Sequence, residues 1–155
     1  MRIESEVVLP AAPSACWDVL TDWEHQAEWM RDADSVRVVS PHRKGPGVRL
    51  AVKTRVLNVP LFTEVLEVTE WRPPERLVVS HTGFVRGDGI WTFEPAPGGT
   101  RFRWVEDLTL PVPILGDLAL RAYRPFMRRL MGRALADLRG SISLSRARAQ
   151  ERPDP

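Results

Sequence analysis

The chain has 155 residues, 43% hydrophobic and 27% charged, with a formal net charge of +2, which is typical of one globular domain that buries its own core. Its single cysteine, Cys16, excludes an intramolecular disulfide, and no apolar run approaches the ~18 residues needed to span a membrane. The N-terminal MRIESEVVLP lacks the apolar stretch of a signal peptide. We therefore expect a cytoplasmic protein without stable membrane insertion.

The N-terminal part predicts one strand and two short helices. Alternating β-forming residues indicate a strand over 2–9, and Pro10 and Pro13 end it. Pro13 suits the first turn of a helix over about 13–22. A second short helix is expected over about 24–30.

Six further strands are predicted, separated by turns rich in proline and glycine. They are expected over 36–40, 48–56, 62–71, 77–82, 84–94 and 100–110. For the strands over 62–71 and 77–82, the alternation leaves open which face is inside.

From about Asp117 to Arg146 the apolar residues recur with a helical period. Pro125 lacks an amide proton and clashes with the preceding turn, so we expect a kink or break there, with the continuous helix starting near Pro125. Residues 150–155 are predicted to be a frayed tail after a single domain over 1–149. Antiparallel strands with helices segregated to one side indicate an α+β fold.

Three local patterns, in this order, resemble the START-related superfamily of polyketide cyclase/dehydratases and lipid-transport proteins, also called SRPBCC or helix-grip. They are Pro13–Trp29 (PSACWDVLTDWEHQAEW), Trp91–Pro95 (WTFEP) before a Gly-Gly-Thr turn, and Arg103–Glu106 (RWVE). The resemblance covers about residues 1–145. It implies a curved seven-stranded antiparallel sheet around a long C-terminal helix, with a cavity between them that holds lipids, sterols, plant hormones, flavonoids or polyketide intermediates in different branches.

The candidate ligand-binding residues are those expected to face this cavity. Strand alternation directs Trp91 and Trp104 inward, although core packing is the alternative for any single aromatic residue. The set predicted to line the cavity is Met30, Val65, Phe84, Trp91, Trp104, Glu106, Tyr123, Met127 and Met131.

Glu106 is the principal candidate for polar chemistry, because alternation aims it inward beside Trp104. Burial of a carboxylate raises its pKa, which suits a ligand anchor or a proton-transfer group. The alternative is a bulge or strand end near Asp107 that turns Glu106 to solvent, or a partner such as Tyr123 or an arginine of the long helix. Glu67 is the second candidate acid or base.

The aromatase/cyclases of the superfamily offer a sharper comparison. Their proposed catalytic arginine, serine and tyrosine align here with Thr69, Glu67 and Ala33, so all three differ. The resemblance therefore favours binding of a small hydrophobic or aromatic molecule, polyketide-like or lipid-like. A cofactor-independent polyketide cyclase or dehydratase that uses Glu106 or Glu67 is the alternative.

Other kinds of site have weaker support. The three histidines, His25, His42 and His81, lack metal-ligand spacing, so no metal site is expected and His81 is interpreted as a surface or structural residue. Residues 111–155 hold nine arginines and four acidic residues. We interpret them as the solvated side of an amphipathic helix, with nucleic acid or anionic lipid as the alternative partner. No cofactor is expected, and both a monomer and a homodimer remain open.

Overall fold

The computed structural model describes residues 1–56, 59–112 and 115–150. The helices are α1 (Pro13–Leu20), a 3₁₀ helix (Trp23–Glu28) and α2 (Leu115–Gln150). The strands are β1 (Arg2–Leu9), β2 (Ala33–Val38), β3 (Arg49–Val56), β4 (Val59–Arg72), β5 (Arg76–Thr82), β6 (Arg86–Ala96) and β7 (Gly99–Thr109). This order agrees with the predicted one, with boundaries displaced by a few residues.

The seven strands form one curled antiparallel sheet in the order β1-β7-β6-β5-β4-β3-β2. From β2 to β7, each strand pairs with the next one in the chain. The exception is β1, which forms one edge of the sheet and pairs with β7, from Arg2 opposite Asp107 to Leu9 opposite Thr100. The α+β class and the helix-grip arrangement predicted above are confirmed.

The core lies between the inner face of the sheet and the helices. Period-2 alternation places Leu77 and Phe102 inside, and both are fully buried. From α1, the indole of Trp17 packs edge-on against Trp71, with ring centroids 5.0 Å apart, and against Phe93 at 5.4 Å. This aromatic packing holds α1 against one end of the sheet.

Helix α2 runs through Pro125 without a break, so the prediction that the continuous helix starts near Pro125 is wrong. Pro125 is exposed, and the residues on either side of it bury an apolar stripe that includes Leu120, Met127 and Met131. That burial outweighs the loss of one backbone hydrogen bond. Gln150, the first residue of the predicted tail, belongs to α2. The rest of that tail, 151–155, lies outside the described residues.

An ion pair links α2 to the loop that precedes β2. The Arg31 guanidinium donates to both carboxylate oxygens of Asp137, at 2.6 and 3.0 Å. This bidentate geometry positions the loop that carries Asp32 beneath the helix.

Six arginines of α2 face solvent, as predicted, and each is exposed: Arg121, Arg124, Arg128, Arg129, Arg133 and Arg139. Within the described ranges, no helix combines the length and apolar character needed to cross a membrane.

Candidate ligand-binding site

A cavity of about 440 Å³ lies between α2 and the inner face of the sheet. Side chains from the 3₁₀ helix, from α2 and from β2 to β7 contribute to its wall. Most of them are apolar, including Leu50 and Val52 from β3 and Leu120 from α2. Phe62 and Phe84 also line the cavity but are 43% and 66% exposed, so they mark where it opens to the surface.

Three buried tryptophans pack together behind the cavity. The ring of Trp29 lies 6.0 Å from Trp91 and 6.2 Å from Trp104, and the last two rings are also 6.2 Å apart. Trp91 and Trp104 are opposite each other on β6 and β7, and both line the cavity. They present a rigid aromatic surface to whatever occupies it.

The structure brings together seven of the nine residues predicted to line the cavity: Met30, Phe84, Trp91, Trp104, Glu106, Tyr123 and Met127. Met131 is instead 1% exposed within the hydrophobic core, because it lies about one helical turn beyond Met127. Val65 is 45% exposed on the outer face of β4. The prediction that Met131 and Val65 line the cavity is therefore wrong.

The error at Val65 comes from a bulge in β4. The pairing of β4 with β5 shifts between Val68 and Glu70, so Thr69 is an extra residue. Such a bulge reverses the inward and outward alternation across it. Trp71 on one side and Leu66 on the other therefore face the same interior.

The bulge also decides which glutamate of β4 enters the cavity. Glu67, the second predicted acid or base, is exposed on the outer face, so its assignment to the cavity is wrong. Glu64 lines the cavity instead. Leu66 and Val68 share the face of Glu64 and favour it as the inner residue, but simple alternation from Trp71, beyond the bulge, favours the opposite face.

Glu106 occupies the position that alternation predicts, facing inward beside Trp104. The indole Nε1 of Trp104 donates a hydrogen bond to Glu106 Oε1 at 2.6 Å. Opposite Glu106 on β6 stands Gly89, where a Cβ atom would lie only 3.0 Å from Glu106 Oε1. The missing side chain at Gly89 thus makes room for the carboxylate.

His81 lies between two glutamates on the inner face of the sheet, so its interpretation as a surface residue is wrong. Its side chain is 14% exposed, with Nδ1 3.4 Å from Glu64 Oε1 and Nε2 3.7 Å from Glu106 Oε2. It shares the inner face of β5 with Leu77 and Val79. Alternation along β5 did not decide which of its faces is the inner one. The two carboxylates were not predictable from β5 either, because they come from β4 and β7, which lie on either side of it.

Burial and charge displace the pKa values of this group. Burial, opposed by His81 and by the Trp104 hydrogen bond, raises the pKa of Glu106 from 4.5 to about 7. Burial by itself lowers the pKa of His81, but the adjacent Glu64 and Glu106 outweigh it and raise the pKa above 6.5. Burial also raises the pKa of Asp32, which lines the cavity nearby. Glu106 therefore titrates near neutral pH, whereas the pKa of His81 lies above its usual value.

These groups are suited to hydrogen bonding and to proton transfer. Glu106, with a pKa of about 7, can hold or release a proton near neutral pH within reach of a ligand in the cavity, and His81 lies beside it. Tyr123 of α2 faces them across the cavity, and burial together with the charge of Asp32 raises its pKa. Among the described residues, no three or more His, Cys, Asp or Glu side chains are arranged to hold a metal ion.

A family model described as "Polyketide cyclase / dehydrase and lipid transport" matches residues 1–142. The sequence has no significant match among curated proteins.

Solved structures have the same fold at low sequence identity. Protein TTHA0849 from Thermus thermophilus superposes with a TM-score of 0.78 at 22% identity, over 94% of this chain and 99% of that one. Protein SA2116 of unknown function from Staphylococcus aureus gives 0.71 at 12% identity, over 95% and 96%. Protein NE0264 from Nitrosomonas europaea gives 0.70 at 14% identity, over 95% and 97%.

Proposed function

Because the chain belongs to the polyketide cyclase/dehydrase and lipid transport family, we propose that it binds a small, largely apolar molecule between α2 and the sheet. The observation that carries this proposal is the cavity of about 440 Å³. That volume lies within the range of small-molecule sites, roughly 300–1,000 Å³. Its wall of aromatic and aliphatic side chains with a few polar groups is also typical of such sites.

The expected affinity follows from the apolar surface that a ligand would bury. Burial of roughly 300 Å² at about 25 cal/mol per Å² contributes about 7 kcal/mol. Loss of translational and rotational freedom offsets part of this gain. The net free energy of binding is then smaller than about 7 kcal/mol, so we expect dissociation constants weaker than about 10 µM for two- or three-ring aromatic compounds.

Two neighbouring residues of β4 provide a matched test. Leu66 lines the cavity, whereas Val65 is exposed on the opposite face of the same strand. A tryptophan at position 66 would fill part of the cavity, and one at position 65 would lie in solvent. Fluorescence titration with the neutral apolar dye N-phenyl-1-naphthylamine should show weaker binding by Leu66→Trp and unchanged binding by Val65→Trp.

Thermal melts of both variants establish that they are folded before their affinities are compared. Equal affinity of folded Leu66→Trp and the wild-type protein would place the dye elsewhere and contradict the assignment of the cavity. Absence of binding by the wild-type protein, across the dye and a panel of polyketide-like phenols, flavonoids and fatty acids, would refute the proposed function.

A second candidate function is a cofactor-independent polyketide cyclase or dehydratase. The observation that favours it is Glu106, whose pKa of about 7 and position beside His81 suit a general acid or base. Such an enzyme would position a reactive ligand against Trp91 and Trp104 and move protons through Glu106. The exposed Glu67 has no part in this mechanism.

Turnover of poly-β-ketone or β-hydroxyacyl model substrates, followed by chromatography, distinguishes the two functions. If the protein is such an enzyme, Glu106→Gln should lose turnover but still bind the apolar dye. Glu67→Gln should keep both turnover and dye binding. Full turnover by Glu106→Gln would exclude Glu106 as the proton carrier. Binding without turnover by the wild-type protein would favour the first function.

A further inference from the structure

Three side chains on the inner face of the sheet form a polar cluster: Glu64 on β4, His81 on β5 and Glu106 on β7. All three line the cavity. One polar atom of each, namely Glu64 Oε2, His81 Nδ1 and Glu106 Oε2, has no hydrogen-bond partner among the described residues. The cluster thus has hydrogen-bonding capacity that the described part of the protein does not use.

Glu106 shows most clearly that this capacity points to a ligand. Its side chain is only 9% exposed, and Trp104 occupies Oε1 but not Oε2. A buried oxygen without a hydrogen bond is costly. Because Gly89 beneath it leaves space for the carboxylate and the cavity lies in front of it, a group inside the cavity is the natural partner of Oε2.

The charges around the cavity determine what kind of group this is. Three carboxyl groups, of Asp32, Glu64 and Glu106, line the cavity with one imidazole, that of His81. None of the lining residues that the structure describes is lysine or arginine. The backbone ammonium of Met1, which also lines the cavity, donates to the carbonyl oxygen of Leu108. A ligand carboxylate would therefore find no lysine or arginine to pair with among the described lining residues, and its charge would oppose the ionisation of the nearby carboxyl groups.

We propose that the Glu64–His81–Glu106 cluster binds a hydroxyl group at the end of an otherwise apolar ligand and discriminates against ligands that end in a carboxylate. A hydroxyl donates one hydrogen bond and accepts others, so it matches an acceptor such as Glu106 Oε2 together with a donor such as His81 Nδ1. This inference rests on the proposed binding function and selects, within it, phenols and alcohols over fatty acids.

Three compounds with the same two-ring body test the inference: biphenyl, 4-phenylphenol and 4-phenylbenzoate. Each is titrated at neutral pH against the wild-type protein loaded with N-phenyl-1-naphthylamine. Hydrogen bonds to charged groups predict that 4-phenylphenol binds about 10- to 100-fold more tightly than biphenyl. The carboxylate should bind more weakly than biphenyl.

The variant Glu64→Gln/Glu106→Gln replaces both carboxyl groups by amides at nearly constant volume. It should lose most of the preference for 4-phenylphenol over biphenyl and accept 4-phenylbenzoate more readily relative to biphenyl. Glu67→Gln is the matched control, since Glu67 is exposed on the outer face of β4, and all three affinities should stay unchanged.

The outcomes separate this inference from the function on which it rests. If biphenyl binds but 4-phenylbenzoate binds as tightly as 4-phenylphenol, the inference is overturned and the proposed function stands. An unchanged ratio of the two affinities in the folded double variant overturns it equally. If neither the dye nor any of the three compounds binds, the proposed function itself fails.

Discussion

Replacement of Glu106 by glutamine should stabilise the folded protein at alkaline pH. The fold buries this carboxyl group, and burial raises its pKa from 4.5 to about 7. Nearby Asp32 and Glu64 add to the increase, while His81 and the Trp104 hydrogen bond oppose it. Above pH 7 the wild-type protein must therefore hold an anion in a site that favours the neutral acid.

The size of the effect follows from the two pKa values. The difference between 4.5 and about 7 corresponds to about 3 kcal/mol at about 1.4 kcal/mol per pKa unit. A group whose pKa is raised on folding contributes its full stability below pH 4.5 and loses it as the pH rises through about 7. The raised pKa of His81 acts in the same direction, with its contribution present below pH 6.5 and lost above its folded value.

Glutamine at position 106 does not ionise, so the alkaline cost disappears. Its carbonyl oxygen still accepts the hydrogen bond from Trp104, but its amide adds a donor that costs about 1 kcal/mol if unpaired. Near pH 9 we therefore expect Glu106→Gln to unfold with a free energy about 2 kcal/mol higher than the wild-type protein. Near pH 5 the two should agree to within about 1 kcal/mol.

Urea denaturation at the two pH values measures both free energies, since a chain of this size is expected to unfold in one transition. The control is Glu67→Gln, which should follow the wild-type protein at both pH values because Glu67 is exposed. A Glu106→Gln protein that is no more stable than the wild type near pH 9, or that keeps the wild-type loss of stability between the two pH values, would refute the reasoning.

Three further substitutions test the packing around the site. Gly89→Ala places a Cβ atom 3.0 Å from Glu106 Oε1 and should lower the free energy of unfolding by about 1–3 kcal/mol in urea denaturation. The same change in a Glu106→Ala background should lower it by less, and equal losses would contradict the proposed contact. Pro125→Ala should raise the free energy of unfolding by up to about 3 kcal/mol, because Pro125 is exposed within a continuous helix; an unchanged or lower melting temperature would count against this. Phe102→Ala removes a fully buried ring that packs on Phe93 at 5.0 Å and should cost about 3–5 kcal/mol, whereas a loss below about 1 kcal/mol would show that Phe102 is not a core residue.

The sequence by itself determines the element order and much of the inner face. Patterns of period 2 and 3.6 depend only on neighbouring residues, so the seven strands and the long helix follow from them. The same local alternation directs Trp91, Trp104 and Glu106 inward, and all three line the cavity. In these strands the alternation is uninterrupted between the residues concerned, as the register of β6 with β7 shows.

Only the tertiary structure decides the rest of the site. Which side chains of β4 face inward depends on a bulge at Thr69, and an extra residue of this kind has no distinct signature in the strand sequence. The bulge places Glu64 rather than Glu67 in the cavity. Continuity through Pro125 is likewise decided by packing, since apolar burial on both sides outweighs the local preference of proline.

The polar cluster is the clearest case. Glu64, His81 and Glu106 come from three strands and have no motif in common. The pKa values of His81 and Glu106 depend on distances of 3.4 and 3.7 Å between side chains far apart in the chain. Charge interactions and burial act through space, so the curl of the sheet, and no local pattern, makes three scattered residues into one site.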